Sequence, residues 1–367
     1  MRVGIDYRPV TAAPYSGIAR QVLALEQALD SIGGVEVVRF SAAPDGHPHR
    51  DTCRCPAQPW PAGGLHRPQA RLAFERGFLP RALGEAGISH YIATANSGLP
   101  WPRPASVRAQ VVIVHDLFQL TLPGRYASPL HRLVYRTLDR LLIGHALRSA
   151  DRIWTPSRYS ASEVARLYPA QAHKRRVLPN AVAALAAPDA AGLPLLPSRY
   201  WLLVGSREPR KNLAAALAQW QQLRAEGVAV PELVIVGERG DVPAALGALA
   251  GLHWLPGISD GQLSWLYHHA EYLLHPAYAE GFGLPVIEAL RCGTPVVAAT
   301  GSALDELLPA SALRFDPHDP ASIRAALVLA AGGRRTQDQP AWLKRQAAHF
   351  DMAHYRENVA RLLQELG

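Results

Sequence analysis

The sequence predicts an α/β protein built as two doubly wound domains. Three observations carry that expectation: a length of 367 residues, short β-branched runs alternating with longer amphipathic stretches, and a second start of that alternation near residue 200. A chain of this length exceeds one ordinary core, and domains of about 100–200 residues imply two. Buried strands alternating with helices are the sequence form of a parallel sheet covered on both faces.

In the first half the strands read Arg2–Asp6, Glu36–Phe40, Ser89–Ala93, Gln110–Val114, Arg152–Trp154 and Arg176–Leu178, with helices expected over 17–32, 67–86, 128–148 and 160–168. The second series runs through Trp201–Gly205, Glu232–Gly237, His253–Leu255, Tyr272–His275 and Pro295–Ala298, with a helix over 213–226. Between the two, Ala183 to Ser198 is rich in Ala and Pro and lacks periodicity, as a connector does. The expected domains are therefore 1–183 and 198–341. A final helix over 342–366, followed by no strand, is expected to pack back on the first domain.

Hydrophobic residues make up 49% and charged residues 19%, with no apolar run near the roughly 20 residues that span a bilayer. Met1 to Asp6 lacks the apolar core and cleavage site of a secretory signal, so a cytoplasmic protein is expected. No repeat of 20–50 residues is visible, and Ala42 to Gly64, crowded with Pro, His and Arg, is the one biased segment. Cys53 and Cys55 form a lone Cys-x-Cys without a second pair at metal-site spacing and read as surface thiols, while Cys292 reads as packing. The net charge of +8 is uneven, +10 over residues 1–190 and −2 over the rest. A basic first half suits an anionic surface or substrate.

The strongest chemical signal is Glu280-Gly-Phe-Gly-Leu-Pro285 through Glu288. The strand Tyr272–His275 precedes it and Pro285 opens a helix, so glycines and free N–H groups sit at a helix N-terminus suited to an anion. Ligands of open α/β sheets lie at the carboxyl ends of the strands. Glu280 and Glu288 flank that point, and carboxylates accept hydrogen bonds from sugar hydroxyls, so a ligand with phosphate and polyol parts satisfies the set. The bland alternative is a capped helix whose glycines serve only the turn. A second cluster, Gly205-Ser-Arg-Glu-Pro-Arg210-Lys211-Asn212, lies at another strand-to-helix junction and brings cations that suit a diphosphate.

These segments, in order with Gly17-Ile-Ala-Arg20, His115-Asp116, Thr155-Pro-Ser157, Pro179-Asn180 and Gly293-Thr-Pro295, resemble family 4 glycosyltransferases, whose fold is GT-B: two Rossmann-like domains facing across a cleft. The similarity covers most of the chain, and its Glu-x7-Glu motif falls on Glu280 and Glu288. The resemblance implies that Glu288 holds the nucleotide ribose and that Glu280 meets the donor sugar. It implies backbone N–H groups of Phe282, Gly283 and Leu284 at the donor. It implies that Arg210 and Lys211 hold the diphosphate and stabilise the leaving group. The resemblance also implies that Gly17 lets the backbone approach the diphosphate, that Gly205 belongs to the donor site, and that His115 stands near the reacting carbon or the donor sugar.

Two departures are the single glycine at Gly17 and Ala181 where glycine is usual; the short spacing from Gly205 to Lys211 leaves Arg207 and Arg210 as rivals for one role, with Arg210 favoured. His115-Asp116 also reads as a helix cap, and Ser157 and a Ser160-x-x-Glu163 capping box read as structural.

No Asp-x-Asp occurs, and Asp316 and Asp319 fall in a Pro-rich segment, so neither a metal nor another cofactor is expected. No carboxylate pair reads as a glycosidase nucleophile and acid. Retention of configuration through front-side attack is the mechanism the resemblance implies. The motif set points to bacterial O-antigen mannosyl- or rhamnosyltransferases, a GDP-sugar donor and a glycan or lipid-linked glycan acceptor. Leu130 to Arg148 is expected to set Leu133, Val134, Leu138, Leu141 and Leu142 on one face beside Arg132, Arg136 and Arg140. That basic stripe suits an anionic membrane surface, peripheral at the inner face of the cytoplasmic membrane, and equally a solvated face. Alternatives are a UDP-sugar transferase, a sugar-nucleotide epimerase and a silent sugar-binding paralogue. Nucleic acid is not an expected partner, since no recognition motif accompanies the basic charge.

Overall fold

The computed structural model describes residues 1–56, 68–122, 129–205, 208–239, 242, 246, 248–333 and 339–367. The chain divides into two compact units, Met1–Ala181 with Met352–Gly367, and Val182–Asp351.

The first unit holds a parallel sheet in the order β2-β1-β3-β4-β5-β6, formed by β1 (Arg2–Asp6), β2 (Glu36–Phe40), β3 (His90–Ala93), β4 (Ala109–Ile113), β5 (Arg152–Thr155) and β6 (Arg175–Val177). Side chains alternate across it. Tyr91, Val112 and Ile153 pack with Leu83, Ile143 and Leu147 in one core layer. Ile5, Ile92 and Val111 pack in another with Val22 and Leu25 of helix Gly17–Asp30 and with Val359 and Leu362 of helix Met352–Gln364.

The second unit repeats the plan in the order β12-β11-β10-β7-β8-β9, from β7 (Tyr200–Val204), β8 (Glu232–Val236), β9 (Leu252–Leu255), β10 (Tyr272–His275), β11 (Val296–Ala299) and β12 (Leu313–Phe315). Its chain order reverses between β7 and β10, which makes the carboxyl ends of those two strands the natural ligand crevice. In their register Leu202 lies opposite Leu273, so Val204 and His275 end level with one another.

Several expectations change. The helix over 67–86 contains a π-turn at Phe74–Phe78 between Pro68–Ala73 and Leu79–Glu85. Pro80 has no N–H for the carbonyl four residues back, which favours a widened turn there. The single helix over 342–366 is two, Gln339–Ala348 in the second unit and Met352–Gln364 in the first. The break follows from Phe350, whose ring meets Phe282 edge-on and whose carbonyl accepts the Val182 N–H.

The stretch read as a connector packs on the second unit through Leu185, Leu193 and Leu196. Helix Arg158–Leu167 is capped by Ser157, which accepts from the Ser160 N–H, so Ser160 is the third residue of the helix and not the N-cap of the box expected there. Helix Pro129–Ser149 buries Leu142, Ile143, Ala146 and Leu147, whereas Leu133 and Leu141 are 65% and 59% exposed. The apolar face read from the sequence is thus only partly the buried one: Leu142 meets the core and Leu138 is half-buried, but Leu133 and Leu141 face outward, because the i, i+1, i+4, i+5 set starting at Leu142 meets the sheet. The side chains of Arg132 and Val134 lie outside the described residues.

Among the described residues no helix is long and apolar enough to cross a membrane. Cys53 is half-buried against the first core rather than on the surface, and burial pushes its thiol up to about 11.

Candidate active site

The crevice at the ends of β7 and β10 gathers the basic turn and the Glu280 loop. Gly205 leaves β7 with φ +84°, a left-handed backbone that favours glycine, and donates its N–H to the Val236 carbonyl. Ser206 and Arg207 lie outside the described residues, so the Arg207 alternative has no geometry here. Pro209–Lys211 forms one 3-10 turn, and Asn212, left-handed at φ +53°, ends it and anchors the loop through its amide to the Pro317 carbonyl. The turn is tied to the second loop by the Tyr278 N–H, which donates to the Arg210 carbonyl at 2.8 Å.

That tether sets the side chains. Lys211 Nζ lies 2.5 Å from Glu280 Oε1 and Arg210 Nη1 lies 3.0 Å from Oε2. His275, the last residue of β10, places Nε2 at 3.0 Å from Glu280 Oε1. Glu280 is 6% exposed. Burial alone would push its carboxyl up, but Lys211 and Arg210, with the His275 hydrogen bond, hold it well below the usual carboxylate range. Burial, aided by both cations, moves His275 down against the pull of Glu280, so the imidazole is neutral and donates its Nε2–H. Arg210 also pairs with Glu208 at 2.5 Å.

The Glu280 loop turns at Gly283, whose φ of +104° and position, with a Cβ 2.6 Å from Leu304 Cδ2, admit only glycine without rearrangement. Helix Leu284–Arg291 starts there with Pro285 in its first turn. The Phe282 ring is buried against Phe350, so what this residue can offer a ligand is backbone. Glu288 lies beyond the first turn of that helix, and its Oε2 accepts from the buried Tyr267 hydroxyl at 2.8 Å. The structure therefore brings Arg210, Lys211 and Glu280 into contact, sets Gly205 beside Lys211, and fixes Glu288 through Tyr267 instead.

Gly17 and His115 belong to the first unit. Gly17 opens helix Gly17–Asp30, where the Ser16 hydroxyl accepts from the Ala19 N–H. His115 follows β4 and is held on three sides. Its Nε2 lies 2.9 Å from the Thr94 carbonyl, its N–H donates to Asn96 Oδ1, and its carbonyl accepts from Ser160. A carbonyl only accepts, so the proton is on Nε2 and Nδ1 is left as a lone pair. Burial keeps the ring neutral.

Two partners escaped the sequence reading, His275 and Tyr267. The place of His275 at the carboxyl end of a strand beside the reversal in strand order was the available signal. Among the described residues no group of three or more His, Cys, Asp or Glu is placed to hold a metal ion.

The family model Glycosyltransferase Family 4 matches residues 15–184, and Glycosyl transferases group 1 matches residues 195–335. O-antigen chain mannosyltransferase B of Escherichia coli is 32% identical over 240 residues, 61% of this chain and 62% of that protein, so the match spans about three fifths of the relative. Sucrose-phosphate synthase of Thermosynechococcus elongatus superposes with a TM-score of 0.72 at 18% identity, over 100% of this chain and 99% of that one. HepE of Anabaena, solved with UDP and glucose, superposes at 0.64 with 16% identity over 100% of both chains. These two likenesses concern the fold, which is GT-B. Since the family 4 model falls on the first unit and the group 1 model falls on the second, where it spans both the basic turn and the Glu280 loop, the chain belongs to the family 4 glycosyltransferases, near the O-antigen mannosyltransferases.

Proposed function

We propose that the protein is a retaining glycosyltransferase that moves mannose or rhamnose from a GDP-sugar to a growing, lipid-linked surface polysaccharide such as O-antigen. The contact of Arg210 and Lys211 with Glu280 at the ends of β7 and β10 carries the reading. It sets two cations and a hydroxyl-binding carboxylate in one place, which matches a diphosphate joined to a sugar. In this reading Arg210 and Lys211 take the diphosphate, aided by Gly205 and by backbone N–H groups at Phe282, Gly283 and Leu284. Glu288 takes the ribose and Glu280 the sugar hydroxyls.

The acceptor hydroxyl attacks the anomeric carbon on the face that the diphosphate leaves. The carbon–oxygen bond to phosphate breaks, the departing phosphate oxygen takes the hydroxyl proton, and configuration is retained. Arg210 and Lys211 supply the positive charge that would otherwise come from a divalent metal. The basic first unit, with Arg136 and Arg140 beside exposed Leu133 and Leu141, suits an anionic lipid surface bearing the acceptor.

HepE, solved with UDP, supports a second reading in which the donor is a UDP-sugar. Thermal-shift titration with GDP-, UDP-, dTDP- and ADP-sugars decides, because a ligand that binds only the native state raises the melting temperature with its occupancy. GDP-mannose or GDP-rhamnose is expected to give the largest shift. A larger UDP-sugar shift favours the second reading, and no shift with any donor overturns both. Turnover by wild type but not by Glu280→Ala separates an enzyme from a silent binding paralogue.

A further inference from the structure

Glu280 faces a problem that the resting structure solves and donor binding reopens. Its oxygens accept from Lys211, Arg210 and His275 while it is only 6% exposed beyond the end of β10. Arg210 and Lys211 are the groups that a diphosphate recruits, on the function proposed above. When they turn toward phosphate, the hydrogen bonds they give Glu280 weaken or break. A buried carboxylate stripped of its donors costs more than the bonds it lost, because no water replaces them. One donor cannot follow the phosphate. His275 sits at the end of a central strand, is 2% exposed, and holds its ring against Glu280 Oε1 at 3.0 Å.

We propose that His275 is a positioning residue: its Nε2–H is the donor Glu280 keeps when Lys211 and Arg210 engage the diphosphate, and it fixes the carboxylate that the donor sugar meets. The role requires a neutral donor. A cation at this position would compete with Arg210 and Lys211 for Glu280 instead of freeing them, and a side chain without N–H would leave Oε1 unsatisfied in the bound state. The ring is uncharged here, which suits the role.

The test is calorimetric binding of GDP, UDP and their sugars to wild type, His275→Leu and His275→Gln, with steady-state kinetics on the donor that binds. His275→Leu is expected to keep its fold and weaken diphosphate binding about ten- to hundredfold, as expected for loss of a hydrogen bond to a buried charge. The donor KM rises with it. His275→Gln, whose amide nitrogen reaches the place of Nε2, is expected to recover to within about threefold. A structural role for the ring alone would lower melting temperature in both variants and would not separate Leu from Gln.

If His275→Leu does not fold, His275→Asn must show the same loss, since its amide overlays Nδ1 and stops short of Glu280. Equal affinity of Leu and wild type, or equal loss in Leu and Gln, overturns the inference while leaving the function intact. Failure of wild type to bind any nucleoside diphosphate overturns both.

Discussion

At the scale of single residues, the first unit carries a buried charge cluster that makes a pH prediction. Arg8 pairs with Asp6 at 2.7 Å and lies 4.0 Å from Glu75, all three being nearly inaccessible. Asp6 takes the guanidinium in two bonds, and Gly98 closes over the pair so tightly that a Cβ there would fall 2.5 Å from Arg8 Nη2. Glu75 is left with the weaker contact, and burial pushes its carboxyl up to about 7 against the pull of Arg8. Below about pH 4.5 the group is protonated folded or unfolded and costs nothing. As pH rises to 7 the unfolded chain ionises first, so stability is lost through that window, by up to about 3 kcal/mol above it. Glu75→Gln is expected to remove this dependence, with a melting-temperature gain over wild type that grows from pH 5 to pH 8. A gain that is constant across that range would show that Glu75 ionises normally. The sequence made Glu280, Arg210 and Lys211 legible because each stands at a strand-to-helix junction. His275 and Glu75 were not legible, since what matters in each is a partner 5 or 67 residues away that only the fold brings near.

At the scale of elements, strands were easier to read than helix faces. A strand in a parallel sheet is buried on both sides, so a β-branched run identifies it whatever its neighbours do. Which face of an amphipathic helix meets the sheet depends on crossing geometry, and on helix Pro129–Ser149 two apolar sets compete. The set that lost the core, Leu133 and Leu141, stays exposed with Arg136 and Arg140 between them. Leu120, Leu133, Arg136, Thr137, Arg140, Leu167 and Tyr168 line a cavity of about 400 Å³ on that side. Apolar side chains held outward beside cations are the composition of an interfacial helix, each leucine contributing about 1.5–3 kcal/mol if buried in lipid and each arginine about 1 kcal/mol at an anionic surface. The expected outcome is flotation with vesicles containing anionic phospholipid, weakened by 0.5 M salt and lost in the Leu133→Asp, Leu141→Asp double variant. Equal flotation with neutral vesicles, or none, would remove the membrane reading and leave a solvated face.

At the scale of the whole molecule, the order of the chain and the order of the cores differ, since the last helix belongs to the first unit. Helix Met352–Gln364 places Tyr355, Val359, Leu362 and Leu363 in the same core layer as Val3, Ile5 and Leu25. Its Glu365 neighbour pairs with Arg176 on β6 at 2.7 Å. Burying four side chains of this size contributes about 6–12 kcal/mol before the cost of ordering the helix. That is comparable to the full stability of a domain. The second unit has two cores of its own, on the two faces of β7 and its neighbours, and keeps helix Gln339–Ala348. A chain ending at Asp351 is therefore expected to lose amide-exchange protection throughout β1–β6 while β7–β12 remain protected. Protection of β1–β6 undiminished by the truncation would show that the last helix is an accessory. Loss of protection in both units together would show instead that the two units unfold as one.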